Sequence, residues 1–159
     1  MIPMRNRLIC CLLLPLPTLA NAQTWSLDSD EYEVGDKLIA HLIFDLDKTD
    51  IRAENEPLLD SIVQFMKVHP DVVIEVGYHL DLRWPDEYSY RLDVARARSI
   101  ASYLQGQGVD SERLQAKGYD NSQPLITAAE IAALGSEREK EEAHAKNRRT
   151  EFKIIAIDF

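Results

Sequence analysis

The chain has 159 residues, of which 45% are hydrophobic and 28% charged. Such a composition excludes a collagen, a low-complexity linker and a disordered tail. Eighteen basic against 27 acidic residues give a formal charge of −9; nothing in that balance would offset a nucleic-acid backbone.

Residues 1–22 read as a secretory signal. Arg5 and Arg7 give a positive start, Leu8 to Leu19 form an apolar stretch, and Ala20-Asn21-Ala22 is an A-x-A cleavage site. The stretch is 12 residues, against roughly 20 for a membrane span, so export with cleavage is expected over a stubby anchor. Cleavage would leave 137 residues from Gln23, remove two arginines and no acid, and bring the formal charge to −11. Both cysteines, Cys10 and Cys11, lie in the leader, so the mature chain has no disulfide, cysteine metal site or cysteine nucleophile. They precede most of the apolar stretch, whereas a lipidated cysteine follows it, and no later segment approaches spanning length. The expected mature protein is soluble and has one domain.

Residues 23–37 are polar and acidic with one Trp and read as a short lead-in to a domain over 38–159. Leu38, Ala40, Leu42 and Phe44 alternate with Ile39, His41 and Ile43, the period of a strand. After an acidic turn over 45–50, Leu58, Ile62, Phe65, Met66 and His69 share a helical face, with Leu59 and Val63 beside it. Pro57 falls near the first turn of that helix, and Pro70 stops it. Val72, Ile74, Val76 and Tyr78 make a second strand. A second helix runs from about Asp86 to Gln105 and ends at Gly106 or Gly108. Leu114, Ala116 and Gly118 form a third, shorter strand. Residues 125–146 are a variable insertion that splits at Gly135 into a small apolar helix and a charged one, with Ser136 and Glu139 at capping-box spacing. Phe152, Ile154 and Ala156 form the last strand. The fold class is α/β (α+β), β-α-β-α-β-(α)-β: a two-layer sandwich of a four-stranded mixed sheet with helices on one face. Leu42, Phe44, Ile62, Phe65, Ile74, Val76, Leu92, Ile100, Leu104, Phe152 and Ile154 are its expected core.

The second helix holds an anomaly. Tyr88, Leu92, Ala95, Ser99, Tyr103 and Leu104 define its inward stripe, and Arg96, four residues from both Leu92 and Ile100, points into it. A buried arginine needs a partner, and Asp81, just past the second strand, is the candidate. Snorkelling to solvent or a purely structural ion pair are the alternatives.

At these residues the chain resembles the OmpA-like peptidoglycan-binding domain shared by Pal lipoproteins and MotB-type proteins. That family has a strand ending Gly-His-Thr-Asp, then Glu-Tyr-Asn, then a helix with Leu-Ser-x-x-Arg-Ala. This chain has Gly77-Tyr78-His79-Leu80-Asp81, Glu87-Tyr88-Ser89 and Leu92-Asp93-Val94-Ala95-Arg96-Ala97. Gly118-Tyr119-Asp120 with Gln123-Pro124, and Asn147-Arg148-Arg149, are similar to the family's Gly-x-Gly-Glu-x-x-Pro and Asn-Arg-Arg. The resemblance covers about residues 38–157. One residue is inserted between Gly77 and Asp81. Downstream spacing without a gap puts Asp81 at the acidic position; the other alignment puts Leu80 there. Trp84 replaces a frequent Gly, Ser89 an Asn and Asp120 a Gly.

The resemblance implies a site for the diaminopimelate side chain of peptidoglycan, a zwitterion with an ammonium and a carboxylate on one carbon. Asp81 would accept from the ammonium and Arg96 would clamp the carboxylate, giving micromolar-class affinity. Ser89, Thr49 and Asp50 could add hydrogen bonds. Trp84 could stack on a sugar or simply anchor its loop, and Arg148 could border the site or pair with surface acids. His41, His69, His79 and His144 form no zinc-hydrolase pair, and no serine elbow or phosphate loop is present. The expectation is a periplasmic binding protein and not an enzyme, with no cofactor or metal, linked to peptidoglycan and the outer membrane or cell wall. The competing expectation is the same fold with a degraded site, docking onto an envelope protein complex. An open pocket between Asp81 and Arg96 would favour the first, a mutual ion pair the second.

Overall fold

The computed structural model describes residues 25–27, 31–83 and 86–158, and only the backbone of residues 86–91. The expected leader lies outside the described residues. Four strands, β1 (Lys37–Ala40), β2 (Val72–His79), β3 (Leu114–Gly118) and β4 (Arg149–Ile157), form one sheet in the order β1-β4-β2-β3. β4 runs antiparallel to both its neighbours, and β3 is parallel to β2. A parallel pair needs a long crossover, and α2 (Asp86–Gly106) supplies it. α1 (Glu56–Val68) packs beside α2. The insertion forms α3 (Ala128–Ala132) and α4 (Glu137–Asn147), each opened by a capping box, Thr127 with Glu130 and Ser136 with Glu139. The expected mixed sheet and helix layer are the observed fold.

One face of the sheet presents Ile74, Val76 and Tyr78 of β2 and Phe152 and Ile154 of β4 to the helices. Leu59, Ile62, Val63, Phe65 and Met66 of α1 and Ala97, Ile100 and Leu104 of α2 complete this core. The stripe of α2 is rotated from its expected position: Asp93, Ala97 and Ala101 are buried, whereas Ala95, Ser99 and Tyr103 are only half-buried. Asp93 turns inward because its carboxylate accepts the Asp120 N–H at 2.7 Å. Gly118 makes room for it, since a Cβ there would run into that carboxylate.

β1 is shorter than its alternation suggests. Beyond Ala40 the Asn55 side chain takes the place of a neighbouring strand, accepting the Ile43 N–H (2.9 Å) and donating to its carbonyl (2.7 Å). Phe44, expected in the core, is only half-buried and lines two cavities. Nor is the segment before β1 a mere lead-in. Trp25 is buried against Phe65, with ring centroids 4.5 Å apart.

The far face of the sheet carries a buried polar layer. Arg149 and Lys37 both pair with Glu151 (2.7 and 2.8 Å). His79 stacks parallel on Tyr119 at 4.6 Å. The Tyr119 ring lies over Gly77, where a Cβ would come within 2.8 Å of it. Tyr119 donates in turn to Glu75 (2.5 Å).

Candidate functional site

The site forms where the C-terminal end of β2, the 45–48 turn, the N-terminal half of α2 and the end of α4 meet. Strand alternation sends Tyr78 toward the helices and His79 to the far face. Leu80 then joins the core, and Asp81 points into a cavity. Of the two residues that could align with the acidic position, Asp81 lines the cavity and Leu80 does not. It also separates His79 from Asp81, so the two do not form an acid–base pair.

Asp81 and Arg96 line one cavity of ≈ 590 Å³ with Phe44, Leu46, Arg83, Glu141 and Arg148. They do not pair with each other; the expected Asp81–Arg96 ion pair is replaced on both sides. Arg96, 5% exposed, donates through Nε to the Lys48 carbonyl (3.0 Å), through Nη2 to the Asp45 carbonyl (3.0 Å) and through Nη1 to the Tyr78 hydroxyl (3.2 Å). Its guanidinium also lies over Phe44 and Tyr78, at 4.9 and 5.4 Å from the ring centroids. All these partners are neutral. Among the described residues no carboxylate pairs with Arg96, and three of the five guanidinium N–H groups are used. Arg96 also lines a second cavity of ≈ 440 Å³, together with His41, Ile43, Lys146 and Arg148 among others.

Asp81, 1% exposed, is held by arginines from two elements. Oδ1 accepts the Arg83 backbone N–H (2.9 Å) and Nε (3.3 Å); Oδ2 accepts Arg83 Nη2 (2.9 Å) and Arg148 Nη1. Both arginines also reach Glu141, at 2.7 and 3.0 Å, closing a ring of alternating charge. Burial pushes the Asp81 carboxyl up, but the arginine hydrogen bonds outweigh it and hold the group below the usual carboxylate range. His144 Nδ1 stands 3.9 Å from Asp81 Oδ1, buried and without a hydrogen-bond partner.

Of the secondary candidates, Arg148 both borders the cavity and pairs with Asp81 and Glu141. Thr49 and Asp50 line neither cavity; their turn contributes instead through the carbonyls of Asp45 and Lys48. Trp84 and the Ser89 side chain lie outside the described residues. Arg83, Glu141 and His144 were not among the expected site residues. Arg83, two positions past Asp81, was in reach of a charge-pattern argument. Glu141 and His144 sit in a helix that reads as a solvated face, and only the packing of the insertion brings them to Asp81.

Asn147 fixes that packing. Fully buried at the end of α4, its side chain accepts the N–H groups of Leu125 and Ile126 (both 2.9 Å) and donates to the Ile126 carbonyl (2.8 Å). The turn into β4 thereby leaves Arg148 on the cavity side and Arg149 on the far face.

Residues 43–139 match the OmpA family model. This chain belongs to the OmpA family. It is 30% identical over 105 residues to a peptidoglycan-associated lipoprotein of Rhizobium meliloti, covering 66% of this chain and 57% of that one. The chain spans about half to three fifths of the length of the peptidoglycan-associated lipoproteins it matches, 52% to 62%. Among solved structures it superposes on the cell wall anchor of the type VI secretion system of Pseudomonas aeruginosa, with a TM-score of 0.58, 26% identity and coverage of 76% and 79% of the two chains. The peptidoglycan-associated lipoprotein of Burkholderia pseudomallei gives the same TM-score and identity, with 70% and 86% covered. Among the described residues no helix is long and apolar enough to cross a membrane.

Proposed function

We propose that this OmpA-family chain is exported to the periplasm by cleavage after Ala22 and there binds peptidoglycan non-covalently through the diaminopimelate side chain of its stem peptides. The observation that carries this is Arg96: a buried cation, seated on neutral acceptors and two aromatic rings, beside an open cavity. Burying a charge without a counter-charge is costly, and a ligand carboxylate in the cavity would supply the missing anion. Asp81 lines the same cavity and is the acceptor for the ammonium; Arg148, at its rim, offers a second cation to the carboxylate. Trp84, between Asp81 and α2 in sequence, and Ser89, the fourth residue of α2, remain candidate ligand contacts. The names of the lipoprotein and cell-wall-anchor relatives point to the same polymer.

Co-sedimentation of the purified chain with diaminopimelate-type sacculi tests this. Arg96→Lys keeps the charge and loses the planar fork. It should leave a folded protein that pellets with at least about tenfold weaker affinity, the loss of one charge-assisted hydrogen bond. Equal sedimentation of the two proteins, or none by the wild type, would sink the assignment.

A specific observation favours a second reading, an interaction module for an envelope protein complex. Four donors from the chain itself already fill both oxygens of Asp81. A wild type that ignores sacculi but captures an envelope protein through the Leu46 rim would establish that alternative.

A further inference from the structure

Arg83 stands where a ligand ammonium would have to go. Its backbone N–H, Nε and Nη2 occupy three of the four acceptor positions on Asp81, and a carboxylate accepts about four hydrogen bonds. Arg148, the fourth donor, is tied to the end of α4 and the start of β4. Arg83 lies in the loop after β2, with half of its side chain in solvent. It already has a second seat, Nη1 on Glu141 Oε2 at 2.7 Å. The guanidinium can leave Asp81 while keeping Glu141, and the water it meets offsets part of the loss.

We infer that Arg83 is a built-in competitor that sets the specificity of the site: a zwitterionic ligand binds Asp81 only by displacing its side chain toward Glu141. With Arg83 seated, the cavity presents Arg83, Arg96 and Arg148 against Asp81 and Glu141, a surplus of cation that receives a plain carboxylate without rearrangement. A ligand amine adjacent to that carboxylate must evict Arg83. The residue therefore penalises zwitterions relative to dicarboxylates of the same length. This rests on the proposed diaminopimelate site, and its test separates the two.

The probes are free meso-diaminopimelate and pimelate, which has the same seven-carbon chain and no amines. Binding to the whole mature chain is followed by calorimetry at low ionic strength. Arg83→Met removes the competing charge and keeps most of the stem, and Arg148 still neutralises Asp81. It should tighten diaminopimelate about tenfold, the equivalent of one charge-assisted hydrogen bond, and leave pimelate unchanged or weaker. Arg83→Lys, which keeps the charge but not the fork, should fall between wild type and Met; it carries the test if the Met variant fails to show a cooperative melt. If wild type binds diaminopimelate and neither variant binds it more tightly, Arg83 is no competitor, while the site itself stands. If both ligands tighten equally, the effect is not displacement from Asp81 and the inference fails. If neither ligand nor sacculi bind any of the proteins, both the inference and the diaminopimelate site are overturned. Binding of diaminopimelate by Arg83→Met alone would support both.

Discussion

The indole N–H of Trp25 donates to the carbonyl of Phe152, 3.1 Å away and 127 positions along the chain. The first described residue thus locks onto the middle of β4, with Phe65 of α1 against its ring. Trp25→Ala should cost about 3–5 kcal/mol, the usual price of removing a buried large aromatic. Urea unfolding measures it. A cost within error of zero would mean that the sheet and α1 are complete without this segment.

Leu104 is fully buried between α2 and the sheet. Leu104→Ala should cost about 2–5 kcal/mol. Ser99→Ala, at the half-buried margin of the same helix, should stay within about 0.5 kcal/mol. A reversed order would mean that α2 turns a different face to the sheet.

The pH dependence of stability should carry the mark of His79. Burial, with Arg149 and Lys37 nearby, lowers its pKa to about 4 in the folded protein, although Glu151 at 3.6 Å pulls the other way. Its other neighbour is the Tyr119 ring. In the unfolded chain the imidazole titrates near its ordinary 6.5. Below that pH the unfolded form takes up a proton that the folded form refuses. Stability is therefore full above pH ~6.5 and falls by up to roughly 3 kcal/mol as the pH drops to ~4, where this loss levels off. Asp81 and Glu151, both held below the ordinary carboxylate range, lose their contribution only at lower pH. His79→Phe keeps a ring on Tyr119 and should flatten the slope between pH 6.5 and 4. An unchanged slope in urea titrations of the variant would assign the effect to another group.

Asn147→Ala should release the insertion. Two N–H groups and a carbonyl lose their partner, at roughly 2–4 kcal/mol in all if each costs about 1. Hydrogen exchange should accelerate at Leu125 and Ile126 while the amides of β2 keep their protection. Uniform acceleration, or none, would contradict the clamp.

Strand and helix boundaries, the parallel crossover and the core were legible because periodicity records burial. β2, β3 and α2 fall within a residue or two of their expected ends. β1 was overrun at Leu42 and Phe44 because alternation reports which side chains face inward, and cannot tell a ladder from a segment held by the Asn55 amide. The Asp81–Arg96 juxtaposition was legible from spacing and resemblance; their separate partners were not. Arg96 is satisfied by main-chain carbonyls, which every sequence has and none advertises. Asp81 is satisfied partly from α4, whose approach depends on the packing of a variable insertion. Trp25 was missed because a lone aromatic in an acidic stretch has no period to betray it.

Asn147 has a consequence for how this protein can diverge. The chain leaves the domain at Leu125 and returns at Asn147, and the two points are knotted together by one side chain. Everything spliced between them is invisible to the register of β4, so length can be gained or lost at Gly135 with the scaffold intact. Yet Glu141 and His144 ride on the return limb, and any change in its tilt redraws the charges around Asp81. The electrostatics of the cavity can drift here without a single substitution in the sheet.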